Sequence, residues 1–271
     1  MPATPFTDQR LVTSLYHSAE RLSERTRSLH AAKISGADAA ATITGLIARH
    51  APAPRTISDI GCGRGTTTLR LATDLRPSRL LAVDQSQALL DVAVQRCRAA
   101  RQTVTPVCAD FHALPMPAAS IDVAVAAFCL YHSPQPHTVV AQIAGCLAPT
   151  GHAVLVTKSA DSYAELDEMI AAAGIDPDAA SRPSLYQTFH AANAAAVVES
   201  AMTLVDIVKQ RHEFRFDDLD AVSRYIATTP KYVVAETLRN PEAISAHLKS
   251  RLPDRPVVAS STVCYIVAKK Q

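Results

Sequence analysis

The chain reads as an α/β protein, with a seven-stranded mixed sheet, helices on both faces and a helical cap. Three observations lead there. The strand-like run Thr56 to Ile60 enters a turn with glycines at 61, 63 and 65, and the helical run Thr66 to Ala72 follows at once. Further apolar strand-like runs recur with helical segments between them, which is the alternation that a largely parallel sheet requires. Several of these runs end at an acidic residue, placing carboxylates at the strand ends where ligands bind in open sheets.

The glycine turn carries the most information. Only glycine lets a backbone turn so sharply and lie against a ligand with no Cβ in the way. The N–H groups at the start of the next helix then face whatever is bound there. A dinucleotide fingerprint places its third glycine three residues after the second, and that position here is Thr66. No lysine follows the turn, so a P-loop is excluded.

The remaining strands follow in order. Arg79 to Val83 is the second and ends in Asp84, 19 residues beyond Gly65. A carboxylate there can accept both hydroxyls of a ribose. Thr105 to Ala109 is the third, followed by Asp110 and Phe111. Ile121 to Ala126 is the fourth, running into Ala127-Phe128-Cys129-Leu130-Tyr131-His132. Gly151 to Lys158 is the fifth, Thr203 to Val208 the sixth and Ser261 to Ala268 the last. Ser86 caps a helix that runs through Ala100, and Pro136 to Leu147 is the helix before strand five. Tyr163 to Gly174, Thr188 to Met202, Phe214 to Thr228 and Pro241 to Leu252 are expected helices. Asp8 to His50 reads as two or three more, broken near Ser35-Gly36.

The segment Asp59-x-Gly61-x-Gly63-x-Gly65 resembles motif I of the class I S-adenosylmethionine-dependent methyltransferases. The resemblance is tight over residues 50 to 160 and holds only in outline elsewhere. It implies a Rossmann-like fold with the last strand antiparallel, S-adenosyl-L-methionine as cofactor, and methyl transfer (EC 2.1.1) to an O, N or C nucleophile of a small molecule, such as a specialised metabolite. It also implies cofactor contacts from Gly61, Gly63 and Gly65, with Asp59 meeting the ammonium group directly or through water, unless it only caps the helix start, and Asp84 at the ribose. Asp110 is then expected at the adenine amino group and Phe111 against the ring, with Gln85 and Phe128 beside the cofactor. Tyr16, next to His17 on an N-terminal helix, is expected to close over it. His132 is the candidate catalytic residue, an imidazole able to deprotonate a hydroxyl or ammonium nucleophile. An NAD-dependent oxidoreductase and a non-catalytic binding protein of the same fold are the rival readings.

Composition narrows the classes. Lys plus Arg exceed Asp plus Glu by 27 − 25 = 2, which leaves no electrostatic footprint for nucleic acid. Six cysteines form no C-x-x-C pair, so reduced thiols are expected. Cys129, His132, His137 and Cys146 are poorly spaced for zinc, and no metal is expected. Val123 to Thr157 contains no Asp, Glu, Lys or Arg, but prolines and polar residues break it, so it is not a membrane span. A soluble, cytoplasmic protein without a signal peptide is expected, with a homodimer left open. The whole of 1–271 is expected to form a single methyltransferase domain. Residues 1–50 would form an N-terminal helical cap, 55–160 a cofactor-binding core, and 161–271 the cap helices with the last two strands.

Overall fold

A computed structural model describes residues 4–16 and 19–271. The N-terminal region holds α1 (Gln9–Tyr16), α2 (Ala19–Ala32), the short strand β1 (Lys33–Ser35) and α3 (Ala39–His50). The core follows as β2 (Thr56–Ile60), α4 (Thr66–Asp74), β3 (Arg79–Asp84), α5 (Gln87–Ala99), β4 (Thr105–Cys108), β5 (Ile121–Ala127), α6 (Pro136–Cys146) and β6 (Leu147–Lys158). The last third comprises α7 (Ala164–Ala172), α8 (Ala194–Glu199), β7 (Met202–Phe216), α9 (Leu219–Ile226), α10 (Pro241–Lys249) and β8 (Val257–Lys270).

All these strands share one sheet in the order β1-β7-β8-β6-β5-β2-β3-β4. From β4 to β6 every neighbouring pair is parallel, while β8 lies antiparallel between β6 and β7. The chain order reverses beside β2, and the glycine turn leaves the sheet at that switch point. The eighth strand is β1, which pairs with the far end of β7 where the sequence pointed only to helices and a break. Three residues are too few to show a period of two, so the strand is made by its partner and not by its own pattern.

The central strands are buried on both faces, so they read as continuous apolar runs. On one face Leu81, Ala124 and Leu155 pack towards Leu130, Val140 and Ile143. On the other Ile57, Val125 and Val156 pack towards Ile43, Ile47 and Leu71. A separate apolar cluster gathers Leu166, Ile170, Phe216, Val222, Ile226 and Leu248. It ties α7, α9 and α10 to the ends of β7 and β8. Polar side chains fix the helix starts: Asp38, Ser86, Asp218 and Asn240 each accept a backbone N–H from the first turn, a contribution of about 1 kcal/mol apiece.

Other expectations shift at their edges. Residues 214–216, expected in a helix, complete β7, because His212, Phe214 and Phe216 are buried while their neighbours face outward with a period of two. The helix expected over 188–202 forms only at Ala194–Glu199. Asn193 accepts the His190 N–H at 2.7 Å and donates to the carbonyls of Gln187 and Thr188, so its amide organises a loop in place of the first helical turns.

Candidate active site

Two chambers open above the carboxyl ends of the parallel strands, sharing a wall of Arg25, Thr26, Thr66, Thr67, Phe128 and Tyr131. The first, of about 260 Å³, is floored by the glycine turn, Asp84 and Gln85, with Phe111, Phe128 and His132 around it. The second, of about 320 Å³, is walled by aromatic rings and holds Lys158. The α2 residues Arg25 and Thr26 reach both.

The three glycines of the turn do different work, although all have positive φ, at 65°, 54° and 73°. A Cβ on Gly61 would fall 2.6 Å from Cys129 Cβ, and one on Gly65 2.6 Å from Ala93 Cβ. These two glycines let the turn press against its neighbours. A Cβ on Gly63 would meet nothing within 4 Å. The open space beside Gly63 is the cradle that a ligand needs, and its N–H donates to Asp84 Oδ2 at 2.9 Å. Asp84 Oδ1 accepts the Ser86 N–H at 2.9 Å. Burial raises the Asp84 pKa, and the backbone donors counter part of that shift.

Asp59 sits elsewhere than the sequence suggested. It is 1% exposed, does not line the first chamber, and accepts the Thr68 hydroxyl at 2.6 Å. It therefore clasps the start of α4 from beneath and does not point into the crevice. Burial pushes its pKa up to about 7, with the Thr68 bond opposing and the Asp84 charge reinforcing. Gly65 is likewise absent from the chamber wall, being packed on α5. Asp110 is half exposed and does not line the chamber, although its neighbours Ala109 and Phe111 do.

His132 lies in a short 3-10 turn after β5. Its Nδ1 is 3.1 Å from the Phe6 carbonyl, which can only accept, so Nδ1 carries the proton and Nε2 the lone pair. The Phe6 ring covers the imidazole at 4.5 Å between centroids. Burial lowers the His132 pKa to about 4, so the ring is neutral near pH 7. Phe128 adopts φ 58°, a left-handed conformation that costs a non-glycine residue about 1–3 kcal/mol. That conformation sets its ring in the wall common to both chambers.

Residues 57–151 match a family model described as a methyltransferase domain. The stretch from β2 to the start of β6 is thus similar to a methyltransferase domain. The chain is 29% identical over 171 residues to a malonyl-[acyl-carrier protein] O-methyltransferase of Alcanivorax borkumensis, which covers 63% of this chain and 56% of that protein. The chain thus spans little more than half the length of that relative. The methyltransferase fold extends over more of the molecule. A putative methyltransferase from Bacillus halodurans superposes with a TM-score of 0.60 at 15% identity, covering 85% of this chain and 99% of that one. The [4+2]-cyclase SpnF superposes with a TM-score of 0.61 at 16% identity, covering 100% and 98%.

The structure brings Gly61, Gly63, Asp84, Gln85, Phe111, Phe128 and His132 to one chamber. The Tyr16 side chain and all of His17 lie outside the described residues. The Cys129-to-Cys146 set is dispersed, with Cys129 Sγ directed to the Ile60 carbonyl, and no cluster suited to a metal occurs among the described residues. Among the same residues no helix is long and apolar enough to cross a membrane.

Sequence reasoning missed several residues. His112 bridges Asp110 Oδ1 at 2.7 Å and Ser133 Oγ at 2.8 Å, tying the loop after β4 to the turn that bears His132. Lys158, Tyr163 and Tyr186 of the second chamber went unnoticed too. One signal pointed to Lys158: it is the first charged residue after the uncharged run from Val123 to Thr157.

Proposed function

We propose that this protein transfers a methyl group from S-adenosyl-L-methionine to a small-molecule acceptor. The observation that carries the reading is the continuity of the two chambers, one floored by the glycine turn and one walled by aromatic rings. The residues fit the cofactor: the space beside Gly63 admits a ligand, and Asp84 offers carboxylate oxygens at the end of β3. When bound, the cofactor supplies a methyl carbon already attached to a good leaving group, the sulfonium sulfur.

In this reading Asp84 accepts from the ribose hydroxyls, while Gln85 and Phe111 flank the adenine. Asp110 takes the adenine amino group from the half-exposed position where His112 steadies it. Asp59 is a positioning residue that acts through Thr68 on the start of α4. Phe128 and Tyr131 separate the chambers and keep water from the acceptor. His132, neutral and on the wall of the first chamber, is the group proposed to take the acceptor's proton when an O or N nucleophile reaches across the shared wall protonated. Such help is worth about 10²- to 10⁴-fold in rate for a base matched to the working pH, and the lowered pKa of His132 sets its share below that ceiling.

Titration calorimetry tests the reading. S-adenosylmethionine and S-adenosylhomocysteine should each bind with one site per chain, and NAD should give no heat. Saturable NAD binding with no response to either sulfur compound would sink the proposal. The cyclase likeness makes turnover a separate question, so methyl transfer itself is to be followed by release of S-adenosylhomocysteine. His132→Ala should lower kcat and leave the Kd for S-adenosylhomocysteine unchanged, whereas loss of both together would mark it as a purely structural residue.

A further inference from the structure

The second chamber contains a cation, Lys158, for which the described residues supply no paired carboxylate. Lys158 closes β6 and is largely shielded from solvent, and its ammonium donates to the Tyr163 hydroxyl at 2.7 Å. Ring centroids of Tyr163, Tyr186 and Phe128 lie 4.7, 5.6 and 5.9 Å from Nζ. Among the described residues it forms no ion pair with a carboxylate. One hydroxyl and three ring faces replace only part of the hydration that an ammonium gives up.

The other titratable groups of the chamber do not supply the missing charge. Burial raises the pKa of the Tyr163, Tyr186 and Tyr225 hydroxyls, so these phenols are neutral. Burial, together with the nearby charges of Lys33 and Lys158, lowers the His212 pKa to about 4, so that imidazole is neutral as well. His30 is exposed at the rim. Among the described lining residues Asp38 is the single carboxylate. It accepts the Ala41 N–H as the cap of α3 and acts electrostatically on Lys33. Lys158 therefore stands in the chamber with no carboxylate partner among the described residues. Among the described residues seven Phe and Tyr side chains line it, including Phe6, Tyr131 and Phe214.

We propose that the second chamber takes a planar, largely apolar acceptor bearing an anionic oxygen, as a carboxylate or acidic hydroxyl, with Lys158 as its counter-ion. The inference rests on the methyl-transfer reading for the word acceptor alone; the binding preference stands on the chamber itself. The aromatic walls take the flat apolar frame, and Lys158 takes the oxygen in a dry setting where a charged hydrogen bond is strong. A cationic acceptor would meet the Lys158 ammonium and be disfavoured. Lys158 is cast here as a specificity-determining residue.

The test uses the full chain saturated with S-adenosylhomocysteine and three naphthalene probes of one shape: the carboxylate, the neutral carboxamide and the methylammonium. Naphthalene-2-carboxylate should bind, the carboxamide about tenfold or more weakly, and the methylammonium should give no signal. Lys158→Met should bring carboxylate and carboxamide affinities together while leaving the Kd for S-adenosylhomocysteine and the thermal midpoint near wild type. Lys158→Arg should keep the preference, which separates charge from side-chain volume. Equal binding of carboxylate and carboxamide by the wild type, a preference that survives Lys158→Met, or no binding of any probe to the loaded protein would each overturn the proposal. Failure to bind S-adenosylhomocysteine would instead overturn the methyl-transfer reading, and probe binding to the free chain would then still decide the chamber's preference.

Discussion

The Gly63 backbone N–H donates to Asp84 Oδ2 at 2.9 Å, so the glycine turn after β2 is tied to the end of β3 by the same carboxylate proposed to hold the ribose. One residue thus shapes the floor of the chamber and serves as an acceptor within it. Asp84→Ala should weaken S-adenosylhomocysteine binding by on the order of 2–4 kcal/mol, the value of two charge-assisted bonds. The Gly63 and Ser86 N–H groups would also lose their acceptor, so stability should fall by about 1–2 kcal/mol. Calorimetry and urea unfolding of the variant read the two losses separately. Wild-type affinity in a folded Asp84→Ala protein would show that this carboxylate does not hold the cofactor.

The turn glycines should part company on substitution. Gly61→Ala and Gly65→Ala combine positive φ with a Cβ only 2.6 Å from Cys129 or Ala93. Each should lose about 2–4 kcal/mol of stability from backbone strain and overlap together. Gly63→Ala meets no atom within 4 Å and carries only the backbone cost of about 1–2 kcal/mol. Its methyl group projects into the space reserved for ligand, so this variant should fold and fail to bind S-adenosylhomocysteine. Thermal midpoints and calorimetry on the three proteins check the contrast, and a Gly63→Ala protein that binds normally would refute it.

Asp59 makes stability depend on pH in a stated direction. Its pKa is about 7 in the folded chain against 3.8 for the free side chain, so folding holds the proton more tightly. The stability contributed by that proton is complete below pH 3.8 and is lost as the pH rises to about 7. Asparagine keeps an oxygen for the Thr68 hydroxyl and does not titrate. Asp59→Asn should therefore gain on wild type across that window, by on the order of a few kcal/mol at its upper end. Histidine titrations are common to both proteins and cancel in the difference. Urea unfolding of the pair at both ends of the window measures it, and a difference that does not change with pH would count against a buried, protonated Asp59.

Local chemistry explains what was readable in the sequence. The turn 61–65 and the acids at or beside the ends of β2, β3 and β4 follow from backbone geometry within a few residues, which is why pattern alone points to Asp84 and Phe111, both on the wall of the first chamber. From the sequence Asp59 is expected to face the crevice because it stands near the end of a strand beside the turn. Its actual direction depends on Thr68, nine residues later and across the turn, and no local pattern encodes which of the two faces wins. The second chamber was illegible for a stronger reason. Lys158, Tyr186, Phe214 and Arg25 are brought together by the sheet and the N-terminal helices from four distant parts of the chain. The short strand β1 is likewise visible only once β7 is in place.

The helices over the chambers supply the last prediction. Val12, Arg25 and Thr26 line the first chamber, and Arg25, Phe214, Tyr225 and Thr229 line the second. The segments Thr7 to Arg27 and Phe214 to Tyr232 thus both contribute wall, although the sheet closes its strand order without the helices in either. Phe214 to Phe216 belong to β7 and are buried, so the second segment is anchored at its start. Any opening must come from α1, α2 and α9. Filling the first chamber with S-adenosylhomocysteine gives Val12, Arg25 and Thr26 a new surface to pack on, and that contact favours the closed arrangement over the open one. Amide exchange in Gln9–Tyr16, Ala19–Ala32 and Leu219–Ile226 should therefore be faster in the free chain and slow when S-adenosylhomocysteine is added. The central strands β2, β5 and β6 should exchange slowly in both states, because their opening requires unfolding the core. Hydrogen exchange read by mass spectrometry resolves these segments. Equal protection of the three helices with and without S-adenosylhomocysteine would show that they form a fixed wall and not a cover that closes.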